Sequence, residues 1–577
     1  MGNVKVLLSL YADDVSIFIP YKDSVLRITV QVLEQFYLLS GLQVQKQKTQ
    51  ATVFGKIPDG NLRLCNDIEL KWSQDFELLG IKFNGDLSNL RFNIELKMRD
   101  IDRTINHWKY RFLSPLGRAV IAKSFLLSKI NHIAFVIPTI NRKMIKRLED
   151  KIYRFIWGGN DLVAREDAKK YEIEGGLNLP DIHSKWCAFK ISWFRRLEYS
   201  KSTWSKILLN SLVKINPNIT IEKLLYNTGT IEIMSIAKKI ENPFWSEALK
   251  CFKPALSNFL LRNPSEILFT PIWNSYAFLA NKRPCNRTNF NTLTAHITYP
   301  TDIMHLKSNK FDFLFTEELE SRLGVTIDNY QYISIKEVIR HSMAIVRFNF
   351  VKYLPEYPII PSGKSLINLC QKGCNKWSDL FRKRCNRSII NCERKWEESL
   401  GSRQGVLFWD RNYKNVKNIF FDNKLKLFFY YIVRGTLKTN RIVSHHKRNI
   451  PVTCSFCNDD TETIVHLFWE CRITANFIAD VRTIFDRISP NTYTKSNRLQ
   501  FVFSFPSEQI YDVNNILNLY IKHYIWKMKF TNRILIVNNF LKWLSFEWNL
   551  NVNAFERDIR LNGLLIEMEK LKAHLNL

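Results

Sequence analysis

Two groups of residues in the sequence have the types and spacing that metal chemistry requires. The first is the adjacent pair Asp13 and Asp14, within Tyr-Ala-Asp-Asp. Neighbouring carboxylates bind divalent cations such as Mg²⁺, which activate a nucleophilic oxygen and neutralise a leaving phosphate. As four letters the motif is weak evidence. Its setting is stronger evidence than the four letters. Within residues 4–20, one short aliphatic run precedes the motif and another follows it, which predicts a β-hairpin with the carboxylates at its tip.

The second group is Cys454-x2-Cys457-x8-His466-x4-Cys471. Thiolates and imidazoles are the ligands that Zn²⁺ prefers, and four of them complete a closed, structural tetrahedral site. We expect the two close cysteines to share one turn and His466 and Cys471 to approach from a following helix. The alternative is a set of buried thiols beside a core histidine.

The other cysteines give no second site. The chain has 11 cysteines without a regular framework, which favours free thiols and one metal site over disulfides. A looser cluster has the spacing of no known zinc knuckle, and we interpret its members as small buried hydrophobes: Cys370, Cys374, Cys385 and Cys392. His445 and His446 lie in a basic loop, where contact with a phosphate backbone is the better interpretation.

The elements that position the carboxylates are β-rich at first. Apolar residues at helical spacing predict a helix from Asp23 to Leu39, with Gly41 as its C-terminal cap. Strand-like runs follow around Ala51–Phe54 and Phe76–Phe83. Beyond them the pattern is mostly helical, and we expect β structure to be confined to this first part of the chain.

A basic helical region comes next. Ser114 is a candidate N-cap with Pro115 at the first helical position, and Arg118 and Lys129 are spaced to share one face. Residues 101–148 contain ten Lys or Arg and one acid. A phosphate backbone would be attracted to such a region, although a solubilising helical face is the alternative.

Composition agrees with an anionic partner. The 577 residues are 46% hydrophobic, which is enough for several domains, and 84 Lys and Arg against 54 Asp and Glu give a net charge of +30. We expect nucleic acid rather than a membrane as the partner. Neither a signal peptide nor a membrane span is indicated, so we expect an intracellular protein, in cytoplasm and nucleus.

Several segments together resemble the reverse transcriptase of non-LTR (LINE-type) retrotransposons. They follow one order over about the first 200 residues: YADD, SGLQVQKQKT, FELLGIKF, HWKYRFLSPLGRAVIAKSFLLSK, FIWGG and GGLNLPDI. The segment CSFCNDDTETIVHLFWEC similarly resembles the zinc-binding domain downstream of these enzymes. The resemblance implies RNA-directed DNA synthesis by two-metal nucleotidyl transfer, with an RNA template and a DNA primer or target as partners.

The resemblance also implies roles for single residues. In the family, YADD is the active-site hairpin, the Gly-Leu segment the next palm motif and Leu-Gly-Ile the primer-side hairpin. Asp13 and Asp14 would then hold Mg²⁺, and the other implied contacts to primer, nucleotide and template-primer backbone are Tyr11, Ala12, Lys48, Arg118, Lys123 and Lys129. Gln45 stands where the family commonly has Asn, which affects only the local turn.

A larger departure from the family lies before the hairpin. Only ten residues precede Tyr11, and they contain no acid, whereas the family has another catalytic Asp and the fingers upstream. We therefore expect this chain to be a C-terminal part of such an enzyme, and to polymerise poorly or not at all by itself.

The predicted fold class is α+β. It consists of an incomplete palm (1–90), a helical thumb (91–200), a helical connecting region (201–440), a zinc-binding domain (441–480) and a helical tail (481–577). Two alternatives stay open for the function. One is a non-catalytic, zinc-containing nucleic-acid-binding protein, and the other is a decayed element remnant. The sequence names neither the template nor the genomic target.

Overall fold

The structure is a computed structural model of the chain. It describes residues 8–12, 14–54, 68, 70–88, 90–138, 141–199, 202–217, 230–262, 267–268, 270–273, 275, 277–280, 283–285, 290–307, 310–350, 374, 378, 391–419, 422–445, 447, 449–488, 497–503, 513–531, 534–556, 565–566, 569–570 and 572–573. These residues are mostly helical with a few short strands, which is compatible with the predicted α+β class.

The first elements are close to those predicted. Strands β1 (Leu8–Tyr11) and β2 (Asp14–Ile17) form an antiparallel hairpin, followed by helix α1 (Asp23–Ser40). The predicted cap is confirmed, because Gly41 has a φ of 72° and its N–H donates to the Tyr37 carbonyl at 2.8 Å. A left-handed residue of this kind suits glycine, which has no Cβ to clash.

The next strands are shorter than the sequence indicated. Strands β3 (Gln50–Ala51) and β4 (Lys71–Trp72) pair in parallel. A second hairpin, β5 (Asp75–Leu78) and β6 (Ile81–Asn84), lies in the strand-like run around Phe76–Phe83, where the resemblance implies a hairpin at Leu-Gly-Ile. Its turn is Leu79-Gly80, with φ values of 48° and 74°. Both positive φ values fit a tight two-residue turn.

Helices dominate from residue 92 onward. In the first part of the chain they are α2 (Phe92–Lys109), α3 (Pro115–Ile121), α4 (Leu127–Val136), α5 (Arg142–Trp157), α6 (Arg165–Ala168), α7 (Ile182–Tyr199), α8 (Thr203–Ile215), α9 (Thr230–Lys239), α10 (Pro243–Arg262), α11 (Asn291–Thr294), α12 (Thr316–Leu323) and α13 (Asn329–Ile345). Later in the chain they are α14 (Asn391–Leu400), α15 (Val406–Asn418), α16 (Asn423–Val433), α17 (Asn440–Ser444), α18 (Arg472–Ile488), α19 (Arg498–Val502), α20 (Val513–Lys529) and α21 (Val537–Glu556).

The expectation that strands are confined to the beginning is wrong. Two further hairpins lie in the middle of the chain, β7 (Leu279–Ala280) with β8 (Arg283–Pro284) and β9 (Met304–Lys307) with β10 (Lys310–Phe313). Strands of two to four residues contain too few alternations to distinguish a strand from an irregular segment by periodicity.

The described contacts divide the chain into two compact units. The first contains Met1–Thr104, Leu127–Leu148 and Asp181–Lys383. Its main core packs α7 and α10 together around Trp193, Trp204 and Trp245, whose rings lie 5.4 to 6.4 Å apart. Lys190 is fully buried in this core. Its ammonium is not left unpaired, because it donates to the Ile137 carbonyl and pairs with Glu247 at 3.4 Å.

The second unit contains Ile105–Leu126, Glu149–Pro180 and Arg384–Leu577. Within it, the Asp167 carboxylate accepts from the buried Arg434 guanidinium at 2.7 Å. Gly175 has a φ of 81°, and a Cβ there would meet the Tyr413 ring at 2.5 Å. The Gly-Gly-Leu-Asn-Leu segment thus packs directly on α15, and this close approach requires glycine. The predicted domain boundaries remain predictions.

A continuous helical run extends from Pro115 to Val136. Its start is as predicted, because Ser114 Oγ accepts from the Gly117 N–H at 3.2 Å and Pro115 is at the first position. A π-helical segment, Ala122–Leu126, separates α3 from α4. Arg118, before this segment, is half-buried, and Lys129, after it, is exposed. The shared face of Arg118 and Lys129 stays a prediction.

The same run is the one helix among the described residues that is long and apolar enough to cross a membrane. Its mean hydropathy over an 18-residue window is 1.4. Core helices of globular proteins have such compositions too, and Ala119, Ala122 and Leu126 are buried against the protein. The hydropathy is therefore weak evidence for a membrane segment.

Candidate metal centre

The structure brings the four predicted zinc ligands together. One ligand atom from each of Cys454, Cys457, His466 and Cys471 lies within 4.8 Å of all the others. The Cys454 and Cys471 sulfurs are 3.8 Å apart, and the Cys457 sulfur is 3.4 Å from His466 Nε2. A tetrahedron with ordinary zinc bond lengths has edges of about 3.8 Å between sulfurs and about 3.5 Å between sulfur and nitrogen. The donor set and its spacing therefore fit Zn²⁺.

The cysteine pair lies in a turn that its own backbone stabilises. The Cys454 N–H donates to the Asp460 carbonyl at 2.8 Å, and the Asn458 N–H donates to the Cys454 carbonyl at 2.9 Å. Asn458 adopts a φ of 60°, a conformation that asparagine tolerates better than most residues. The Phe456 N–H points at the Cys454 sulfur at 3.5 Å. This turn orients both thiols toward one point.

Of the other two ligands, His466 is the first residue of a short π-helical segment, His466–Glu470, and Cys471 directly follows that segment. The Cys471 N–H closes the wide turn by donating to the His466 carbonyl at 2.8 Å. At the entry, the His466 N–H donates to Thr463 Oγ1 at 2.9 Å. A residue and its fifth successor lie on the same side of a π-turn, whereas an α-helix would separate them. This local widening lets His466 and Cys471 point at the same place.

The ring of His466 has a distinct neighbour on each nitrogen. Nε2 faces the cysteines, while Nδ1 lies 3.8 Å from a carboxylate oxygen of Asp460. Histidines that bind metals through one nitrogen commonly direct the other toward a carboxylate, which fixes the ring orientation. Asp460 is 75% exposed, so it reaches the ring from the solvent side.

Two of the thiols share a hydrogen bond that shifts their pKa values in opposite directions. Cys454 and Cys471 are fully buried. The Cys454 thiol donates to the Cys471 sulfur, and this hydrogen bond lowers the pKa of Cys471 to about 4 while raising that of Cys454. Zinc binding requires both thiols to be deprotonated and would release the remaining protons.

A buried ion pair, Glu462 with Lys529, stabilises the backbone of the cysteine turn. Glu462 is fully buried, and its carboxylate accepts from the Ser455 N–H at 2.9 Å, from Ser455 Oγ at 2.8 Å and from the Asn440 N–H at 2.8 Å. The Lys529 ammonium donates to the same carboxylate and to the Lys438 carbonyl. Buried carboxylates are tolerated when paired and hydrogen-bonded in this way.

Residues 391–477 match a family model described as zinc-binding in reverse transcriptase. The match contains all four candidate ligands and Glu462. The chain therefore contains a reverse-transcriptase-associated zinc-binding region, and the cluster of three cysteines and one histidine agrees with that description. Lys529 lies outside the matched residues, in helix α20.

The second predicted metal site lies on the first hairpin. Tyr11 and Asp14 are directly opposite each other in the strand register, and Ala12 has a φ of 51° in the turn between them. Tyr11, Ala12 and Asp14 are exposed. Asp13 lies outside the described residues. Lys48 is exposed at the end of a 3₁₀ turn, Lys46–Lys48.

The three predicted backbone-contacting cations have different surroundings. Arg118 is half-buried, and its Nη1 donates to the Phe155 carbonyl at 3.3 Å near the end of α5. Lys123 is half-buried too, with its ammonium donating to the Leu177 carbonyl at 3.3 Å. Both therefore contribute to packing within the protein. Lys129 is exposed and available to an anionic partner.

The described residues contain no second candidate cluster of metal ligands. Cys392 lies 3.7 Å from the Tyr413 hydroxyl, and Cys370, Cys385 and His446 lie outside the described residues. All described cysteines are free thiols.

Sequence reasoning missed the supporting residues of the metal centre. Glu462 could have been found as an acid next to a predicted ligand turn. Nothing in the sequence signals Lys529, which is 67 positions further along the chain.

Proposed function

We propose that this chain acts in RNA-directed DNA synthesis as part of a non-LTR reverse transcriptase. The observation that carries the proposal is the zinc-ligand cluster within a region that matches reverse-transcriptase zinc-binding domains. The ordered resemblance of the first 200 residues supports the same assignment. The partners are an RNA template and a DNA primer or target, and the protein works in the cytoplasm and nucleus.

The two metal sites have different tasks in this proposal. The zinc site is structural, since four protein ligands leave no open position for a substrate. Asp13 and Asp14 hold Mg²⁺, which supplies charge neutralisation for in-line nucleotidyl transfer. Tyr11 and Ala12 lie near the primer end, and Lys48 near the incoming nucleotide. Asp14 is the first residue of β2 and lies opposite Tyr11 in the hairpin.

Primer extension tests the catalytic part. The substrate is poly(rA)/oligo(dT) with magnesium, and the wild-type chain is compared with Asp13→Asn/Asp14→Asn. We expect any extension by the wild type to be weak and to disappear in the double variant. Extension that survives the double change would disprove the role of these carboxylates. Loss of wild-type extension upon chelation of zinc, with magnesium still present, would show that the activity needs the zinc region.

A second candidate is non-catalytic binding of nucleic acid, favoured by the cationic surface of α5. Ile145, Leu148, Ile152 and Ile156 form its buried face. The opposite face exposes Arg142, Lys143, Lys146 and Arg154. Contacts of this kind bind phosphates without reading sequence and weaken steeply with salt.

Filter binding of RNA and DNA over a salt series tests this candidate. We expect salt-sensitive retention that Asp13→Asn/Asp14→Asn does not change. A wild-type chain with no affinity at low salt would exclude both this candidate and the proposal above.

A further inference from the structure

The end of α2 and the loop that leads to α3 have an unusual composition. Aromatic and cationic side chains alternate from Trp108 to Phe112 in the order Trp-Lys-Tyr-Arg-Phe. Tyr110 is 80% exposed and Phe112 is completely exposed. Lys109 before Tyr110 and Arg111 between the two rings are exposed as well. We call residues 108–112 the aromatic loop.

The protein anchors this loop at both ends. On one side, the half-buried Trp108 packs its ring 5.8 Å from that of Phe125. On the other, Ser114 caps α3. Between these anchors, the Arg111 N–H donates to the Trp108 carbonyl at 3.1 Å and the Leu113 N–H donates to the Arg111 carbonyl at 2.7 Å. The exposed rings are therefore presented from a turn with defined hydrogen bonds.

Exposing these two rings has an energetic cost. Burying a Phe side chain stabilises a protein relative to leaving that side chain in water. Both rings are adjacent to exposed cations, so an apolar protein surface covering them would have to bury Lys109 and Arg111 as well. A partner with both flat aromatic faces and regularly spaced negative charges avoids that penalty. Single-stranded nucleic acid has both features.

We propose that the aromatic loop binds single-stranded nucleic acid. Tyr110 and Phe112 each stack on an unpaired base, while Lys109 and Arg111 contact the adjoining phosphates. The inference rests on the proposed function only in taking nucleic acid as the partner, and it identifies a single strand as the form that this loop selects. Duplexes present no free base faces and gain only the phosphate contacts.

Binding by the full chain tests the loop. Fluorescence anisotropy is measured with labelled oligouridine and with an RNA duplex of the same length. Tyr110→Ala/Phe112→Ala is the test variant. Phe315→Ala/Tyr330→Ala is the matched control, because those rings are 70% and 81% exposed elsewhere on the protein. All four residues are exposed, so these substitutions leave the fold intact.

We expect the test variant to bind oligouridine roughly tenfold or more weakly, from about 1 kcal/mol or more per stacked base. Its affinity for the duplex should be unchanged, and the control variant should match the wild type on both ligands. Tyr110→Phe should retain affinity, since stacking needs the ring and not the hydroxyl. Photocrosslinking with 5-iodouridine should attach RNA to the tryptic peptide that runs from Phe112 to Arg118.

The outcomes separate this inference from the proposed function. If the wild type binds neither ligand, both are overturned. If the wild type binds and Tyr110→Ala/Phe112→Ala binds equally well, the inference alone is overturned. Equal losses on oligouridine and duplex would also overturn it, because they indicate phosphate contact without stacking. The inference would also be overturned if Tyr110→Ala/Phe112→Ala lost binding to phosphatidylserine vesicles but kept its affinity for RNA. That result would identify a lipid surface as the partner of the loop.

Discussion

The zinc segment, Cys454–Cys471, and the first hairpin, Leu8–Ile17, were both identified by side chains that bind metals, but they are built differently. In the zinc segment the ligands are buried, and hydrogen bonds and the Glu462–Lys529 pair stabilise the backbone around them. In the hairpin, Leu10 and Tyr11 are each 65% exposed, and the described support is the pairing of two strands. The zinc segment supplies four ligands of one metal ion and many of the hydrogen bonds that orient them. The hairpin supplies only two carboxylates, so further contacts to the hairpin must fix their orientation.

The largest expected effect comes from removing zinc or one of its ligands. We expect Cys471→Ser to abolish stoichiometric zinc binding and to unfold the zinc segment, because structural zinc contributes on the order of 10 kcal/mol to the folding of small domains. Zinc content by elemental analysis and amide hydrogen exchange across residues 452–475 measure both effects. Chelation of the wild type should reproduce them.

Two variants test whether this effect is specific to the zinc segment. Cys374→Ser changes a half-buried cysteine outside the cluster and should leave zinc content unchanged. Asp14→Asn changes the exposed hairpin and should alter stability by no more than about 0.5 kcal/mol. If the chain retained its full zinc content after Cys471→Ser, the assigned ligand set would be wrong.

The second effect concerns the ion pair behind the cysteine turn. Glu462→Gln leaves the Lys529 ammonium buried without its counter-charge, and breaking a buried pair from one side costs about 3–5 kcal/mol. We expect faster amide exchange at Ser455 and Asn440, whose N–H groups donate to the Glu462 carboxylate, together with weaker zinc retention.

An exposed ion pair provides the matched control. Glu95 accepts from Arg147 at 3.0 Å, and the two side chains are 45% and 56% exposed. Because solvent screens such pairs, Glu95→Gln should cost less than about 1 kcal/mol. If Glu462→Gln and Glu95→Gln lowered the free energy of unfolding by the same amount, burial would not distinguish the energies of the two ion pairs.

The contrast also explains which features the sequence could predict. Local signals were sufficient for the first hairpin, the glycine cap of α1, the Ser114-Pro115 helix start and the four zinc ligands, because each depends on residues close together in the chain. Arg118 and Lys123 had the charge expected of phosphate contacts, but they donate to carbonyls 37 and 54 residues away. No periodicity encodes such contacts.

Other features were missed because their local signal is short or irregular. Strands β7 to β10 are too short to show alternation, and the π-helical segment at Ala122–Leu126 has no recognised sequence pattern. The Gly175 contact with Tyr413 is a similar case, since a pair of glycines indicates a close approach without naming what approaches. Tertiary packing determines all three.

The third expected effect is a pH dependence of stability that comes from His523, in helix α20, which also contains Lys529. His523 is packed among Phe428, Trp526 and Trp543, with Asp422, Lys424 and Lys527 as the nearby charges. Burial lowers the pKa of His523 to about 4 from the usual 6.5. Between these values the unfolded chain binds a proton that the folded chain does not, so stability present above pH 6.5 is lost as the pH falls toward 4.

The difference between the two pKa values of His523 corresponds to a loss of roughly 3 kcal/mol in the free energy of unfolding between pH 6.5 and pH 4. His523→Phe should remove that part of the pH dependence, which is measured by urea unfolding of zinc-saturated wild type and variant at a series of pH values. His107→Phe is the control, because His107 is exposed. Parallel curves for wild type and His523→Phe between pH 6.5 and 4 would show that the histidine is as easily protonated in the folded chain as in the unfolded one.

The smallest effect is in the hairpin, where Ala12 has a left-handed φ of 51°. A left-handed alanine costs on the order of 1 kcal/mol, which Ala12→Gly removes, while the greater freedom of glycine in the unfolded chain offsets part of the gain. We expect a net stabilisation below about 1 kcal/mol, seen as slower amide exchange in Leu8–Ile17 with the zinc segment unaffected. Ala51→Gly, in strand β3, should instead speed local exchange, because glycine weakens a strand. Faster exchange in Ala12→Gly would mean that contacts of the alanine methyl group, rather than backbone strain, determine the stability of this turn.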